Sequence, residues 1–91
     1  MENPERLRPQ SSSAGSEAAE EARNLRRLQW MIGMVLSAIY QQPSLTVEQA
    51  AEMVANARQA ALGMFPGKEL AFDLLYKPRL QRAMKDRFHM Q

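Results

Sequence analysis

The chain contains no cysteine and a single histidine, His89. Disulfides, thiolate catalysis and cysteine metal sites are therefore excluded, as is a multi-histidine zinc site within one chain. Cysteine-free composition fits a reducing compartment, so a cytoplasmic location is expected. No apolar run approaches the ~20 residues that span a bilayer. The longest uncharged apolar stretch is Leu28–Tyr40, LQWMIGMVLSAIY. The start, Met1-Glu2-Asn3-Pro4-Glu5-Arg6, has no apolar leader core, and no glycine follows Met1. The end, Phe88-His89-Met90-Gln91, is no lipidation box. A soluble chain is the expectation. Nothing alternates with period two over a useful length, so no sheet is expected.

Catalytic patterns are missing too. The sequence holds no phosphate-binding glycine loop, no nucleophile elbow and no paired carboxylates beside a base. Glu48 and Glu52 stand one helical turn apart but read as a solvated edge. His89 lies at the chain end, where a positioned base is not expected. No catalytic, cofactor-binding or metal-ligating residue is assigned, and the chain is expected not to be an enzyme.

What remains is helical. Residues 1–15 are rich in Pro, Gln, Ser and Gly with Leu7 as their one large apolar side chain, so a disordered tail is expected there. Ser16 reads as an N-cap, with Glu17, Glu20 and Glu21 where a helix dipole favours negative charge. A first helix is expected over about 17–41. Leu25, Leu28, Ile32, Val35, Leu36 and Ile39 fall on one face of it. Gln42-Pro43-Ser44 ends it, because Pro43 disfavours helical backbone in the residue before it.

A second helix is expected over about 46–63. Thr46 with Gln49 three residues on forms a capping box, and Leu45 can staple onto Ala50. Val47, Ala50, Val54, Ala57, Ala61 and Phe65 line one face; its alanines let a neighbouring helix approach. Phe65-Pro66-Gly67 makes a turn. A third helix over about 68–76 is expected to present Leu70, Leu74 and Leu75, with Phe72 on another side. Pro78 breaks or kinks the chain and opens a fourth helix over about 78–89, where Leu80, Met84 and Phe88 recur.

The expected architecture is thus one all-α domain over 16–91. A long first helix forms an antiparallel hairpin with the second, and two short C-terminal helices fold back over it. So small a chain buries only about 60% of its unfolded surface and is marginal alone. Leu45–Val54 resembles the opening helix of many small helix-turn-helix DNA-binding domains, though Ala55–Leu62 continues the helix where that pattern wants a turn.

Three features carry functional expectations. Trp30, Gly33, Ser37 and Tyr40 form a second stripe on the first helix, opposite its Leu/Ile/Val face, with Met34 nearby and Arg26 in line. Gly33 costs about 1 kcal/mol of helix propensity relative to Ala, which implies a close neighbour. Either the third and fourth helices cover this stripe, or another protein does. Trp, Tyr, Met and Arg are the types enriched at protein interfaces. The expected function is a protein–protein interaction or assembly module, homo-oligomeric or a subunit of a larger complex, with Trp30, Gly33, Met34, Ser37 and Tyr40 as its interface. Membrane-surface association is a further option, which the acids at the start of the helix disfavour.

The second feature is a basic end, with Lys77, Arg79, Arg82, Lys85 and Arg87 against Asp86. Arg79, Arg82, Lys85 and His89 are the candidate phosphate contacts of an alternative reading, a nucleic-acid accessory protein. The third is Arg58, which falls within the apolar face of the second helix. Its stem is expected along the core edge with its head in water. A pair with Asp73 or Glu69 is the other arrangement open to it.

Overall fold

The computed structural model describes residues 4–89, with side chains described over 15–89. Four helices follow in order: α1 (Pro4–Gln41), α2 (Val47–Met64), α3 (Glu69–Leu75) and α4 (Lys77–Phe88). No strand occurs among the described residues. The backbone is already helical at Pro4, well before the expected start near Glu17. Ser16 is therefore an interior residue and not a cap. Pro4 suits a first turn, where its missing N–H is not needed, and a nucleated helix extends at little cost per residue. The disordered tail expected over 1–15 is thus replaced by helical backbone from Pro4 on, while residues 1–3 lie outside the described residues.

The hairpin turn forms as its chemistry requires. Thr46 Oγ1 accepts from the Gln49 backbone N–H at 3.1 Å, and Gln49 Oε1 accepts from the Thr46 N–H at 3.0 Å. This reciprocal box satisfies two of the donors a helix start leaves orphaned. At the other end of α2, Gly67 takes φ 79, a conformation open to glycine and strained for other residues. The chain then re-enters a helix at Glu69.

α1 packs on α2, and α4 lies against both. Leu28, Ile32, Val35 and Ile39 meet Ala50, Ala57 and Ala61, with Leu80, Ala83 and Met84 closing the cluster. Ile39, Ala50 and Ala83 are fully enclosed. The alanines allow the close approach that their positions imply, and Ala83 does for α4 what Ala57 does for α2. Leu25 departs from its expected place on the inner face and is 43% exposed. It sits where α2 has already ended in a turn, so little stands over it.

α3 is the larger correction. Leu70, Leu74 and Leu75 are 72%, 66% and 63% exposed, whereas Phe72 is buried. A seven-residue helix can bury only one side, and α3 packs on α2 and α4 through its aromatic side. Phe72 and Tyr76 stack one turn apart, with ring centroids 5.6 Å apart. Aromatic rings offer more area per residue than leucine, so that side wins the core. Tyr76 alone separates α3 from α4, and Pro78 sits in the first turn of α4.

Candidate protein-contact surface

The outer stripe of α1 is not covered by the other described helices. Trp30 is 68% exposed and Met34 52% exposed. Gly33 and Ser37 are exposed beside them. Among the described residues a Cβ placed on Gly33 would meet no atom within 4 Å outside the backbone of its own helix turn, so the neighbour expected there is none of them. α4 does not fold across the stripe. It is committed to the groove between α1 and α2 by Leu80, Ala83 and Met84.

Tyr40 marks the edge of the stripe. Its hydroxyl donates to Asp86 Oδ2 of α4 at 2.9 Å, although the ring is half exposed. That hydrogen bond, helped by partial desolvation and the carboxylate charge, raises the Tyr40 pKa. Arg82 opposes the shift, which places its charge close by. Tyr40 therefore serves the α1–α4 junction, while Trp30, Gly33, Met34 and Ser37 remain open.

The charges of α1 are sorted by face. Arg23, Arg26 and Arg27 are exposed ahead of Trp30. At 100° per residue they share the outer side with it. Glu17 and Glu21 turn to the other side and Glu20 lies between, next to Arg27; with Asn24 the three line a polar hollow closed by Met64, Phe65, Pro66 and Lys68. Of the acids at the helix start, Glu17 and Glu21 thus stand away from the basic, aromatic outer face, and Glu20 borders it.

The basic end divides in a similar way. Arg87 is drawn into the fold: its Nη1 donates to the Ile39 carbonyl at 2.8 Å and its Nη2 to the Pro43 carbonyl at 3.1 Å. Those carbonyls belong to the C-terminal end of α1 and the turn after it, where orphan acceptors need donors. Arg79, Arg82 and Lys85 stay exposed. His89 follows α4 in a left-handed conformation with φ 55, so it leaves the helical register that would align it with Arg79 and Arg82.

Arg58 takes the arrangement with Asp73. Its Nε reaches Asp73 Oδ1 at 3.0 Å and its Nη2 reaches Oδ2 at 3.2 Å, a two-pronged contact that clips α2 to α3. Both side chains are about one-third exposed, so the guanidinium meets a carboxylate at the core edge and not open water. The Arg58 hydrogen bond, more than its charge or that of Lys77, lowers the Asp73 pKa against the opposing effect of partial burial.

One surface had no sequence signal. Leu25 and Leu28 of α1, Ala61 and Phe65 at the end of α2, and Phe72, Leu75 and Tyr76 at α3 enclose an apolar groove of about 280 Å³. Leu70 and Leu74 extend the apolar surface of α3 beyond it. In the sequence the apolarity of Leu70, Leu74 and Leu75 is the same whether they are covered or not, so it gave no sign of this surface.

Among the described residues, no group of three or more acids or histidines could hold a metal ion. No described helix is long and apolar enough to cross a membrane. The opening-helix pattern at Leu45–Val54 leads into a continuous α2, without the turn of a helix-turn-helix. No family model, curated protein or solved structure matches the chain.

Proposed function

We propose that this chain is a non-enzymatic helical module for protein–protein contact, which assembles with itself or as a subunit of a larger complex. The outer stripe of α1, Trp30, Gly33, Met34 and Ser37 with Tyr40 at its edge, is the contact surface. One observation carries the reading: the only Trp of the chain stands 68% exposed on a helix face that none of the other three helices covers. Clustered exposed apolar side chains mark interaction sites, and Trp with flanking Arg is the usual composition of their energetic centre. Gly33 agrees with this, since no described residue of another element comes close enough to offset its helix penalty.

Sedimentation velocity at tens of micromolar tests it. The wild type is expected to run heavier than a 10.4 kDa monomer. Trp30→Ala is expected to run as a monomer with its helicity retained. A Trp30→Ala chain that associates like wild type would sink the reading. Loss of all helicity would do the same, by placing Trp30 in the monomer core.

The alternative, nucleic-acid contact through α4, is supported by the exposure of Arg79, Arg82 and Lys85. It expects salt-sensitive binding that Arg79→Ala and Arg82→Ala weaken alike for every sequence. The absence of any gel shift at low salt would dispose of it.

A further inference from the structure

The chain carries two unpartnered apolar surfaces of opposite shape. The stripe of α1 is convex, a ridge led by the Trp30 indole. The groove beside α3 is concave, walled by Leu25, Ala61, Phe65, Phe72 and Leu75, and its volume of about 280 Å³ is of the order an indole needs. Trp30 lies some 140° around α1 from Leu25, so the two surfaces face away from each other.

Their charged borders are complementary. Arg26 and Arg27 stand one turn before Trp30 on the ridge. Glu21 stands one turn before Leu25 beside the groove, in a hollow that also holds Glu17 and Glu20 and shares Phe65 and Lys68 with the groove. Arg26 stands four residues before Trp30 and Glu21 four residues before Leu25, so for this pair the spacing from charge to apolar centre is the same on both surfaces. Two α1 helices running parallel would seat the indole at Leu25 and bring the arginines against the acids together. An antiparallel approach would seat the indole and leave the arginines beyond the acids.

On this basis we infer that the groove receives the Trp30 ridge of a second copy of this chain, a head-to-tail contact that rests on the self-assembly reading above. Because ridge and groove lie on opposite sides, the contact cannot close on itself as a two-fold dimer. Each added copy presents a fresh groove or ridge, so assembly continues into a ring or an open filament. The glutamates steer the incoming arginines and fix the parallel direction, the part that rim charges ordinarily play.

Complementation by mixing tests this. Trp30→Ala keeps the groove and loses the ridge. Leu75→Lys keeps the ridge and places a cation in the groove; Leu75 is 63% exposed, so the fold tolerates the change. Circular dichroism checks that both variants keep wild-type helicity. The wild type is expected to grow past a dimer with concentration. Each variant alone is expected to sediment as a monomer, its self-association weakened at least about 30-fold as for a hot-spot residue. An equimolar mixture is expected to form 1:1 dimers and stop there. A mixture that stays monomeric overturns the inference, because an intact ridge and an intact groove on different copies then do not engage each other. If Leu75→Lys associates like wild type while Trp30→Ala does not, the contact surface stands and the groove assignment falls. A wild type that remains monomeric also overturns the inference and leaves a different protein as the occupant of the stripe.

Discussion

The two faces of α1 between Leu28 and Tyr40 both carry large apolar side chains and have opposite fates. Leu28, Ile32, Val35 and Ile39 are buried against α2 and α4. Trp30 and Met34, drawn from the same thirteen residues, are open to solvent. Hydrophobicity alone does not separate them. Shape and partner supply do: the inner face is a regular row of branched aliphatics that alanines on α2 can approach, whereas the outer face mixes an indole, a glycine and a serine that no short helix of this chain can match. One helix therefore serves as the spine of the domain and as an unfilled surface.

That contrast can be broken most forcefully from the inside. Ile32→Ala removes a side chain that is 1% exposed and leaves a cavity among the helices. It is expected to cost about 2–5 kcal/mol. Thermal melts should show the midpoint falling by roughly 10 °C or more, at about 4–8 °C per kcal/mol for a domain of this size. Trp30→Ala, measured dilute enough to be monomeric, is expected to stay within about 0.5 kcal/mol of wild type. Equal costs at the two positions would abolish the distinction.

A smaller effect probes how the spine ends. Arg87→Ala leaves the Ile39 and Pro43 carbonyls without the donors they have now, at about 1–2 kcal/mol in denaturant unfolding. Arg79→Ala, on the exposed side of the same helix, should be neutral by that assay. Gly33→Ala sharpens the outer face with a change of opposite sign. No atom of another described element stands near the added methyl, so the monomer should gain up to about 1 kcal/mol. The same substitution should weaken association, because it fills the gap a partner backbone would use. A variant that is both more stable and better associated would contradict Gly33's place in the contact.

The smallest effect is a pH dependence at the α2–α3 clip. Folding lowers the Asp73 pKa, so the folded state binds the proton less readily than the unfolded one. The contribution is present above the unfolded carboxylate pKa of about 3.9 and fades as pH falls through the folded value. Asp73→Asn should lower the melting midpoint at neutral pH and converge with wild type in strong acid. A gap that widens on acidification would exclude the Arg58 pair as its source.

Much of this fold was legible from the residues. Thr46 and Gln49 announce their box by spacing alone, and the inner face of α1 by its period. What could not be read are choices that depend on neighbours. α3 has leucines on one side and Phe72 on another, and seven residues carry too little periodicity to say which side meets the core. Arg58 could reach water or Asp73 with equal ease until α3 is placed. Arg87 looked like one more cation in a basic run, because the carbonyls it serves lie more than forty residues away. The stripe of α1 was visible from its residue types, whereas the groove was not, since it is made by three helices meeting.

Trp30 is the only tryptophan, so its fluorescence reports on the stripe and nothing else. Acrylamide quenching of Trp30 across a range of protein concentration tests the central claim most directly. The indole should be freely quenched when the chain is dilute and become protected as concentration rises, with Met34→Ala delaying the onset. Protection that is complete at the lowest concentration would put Trp30 inside the monomer and contradict the account.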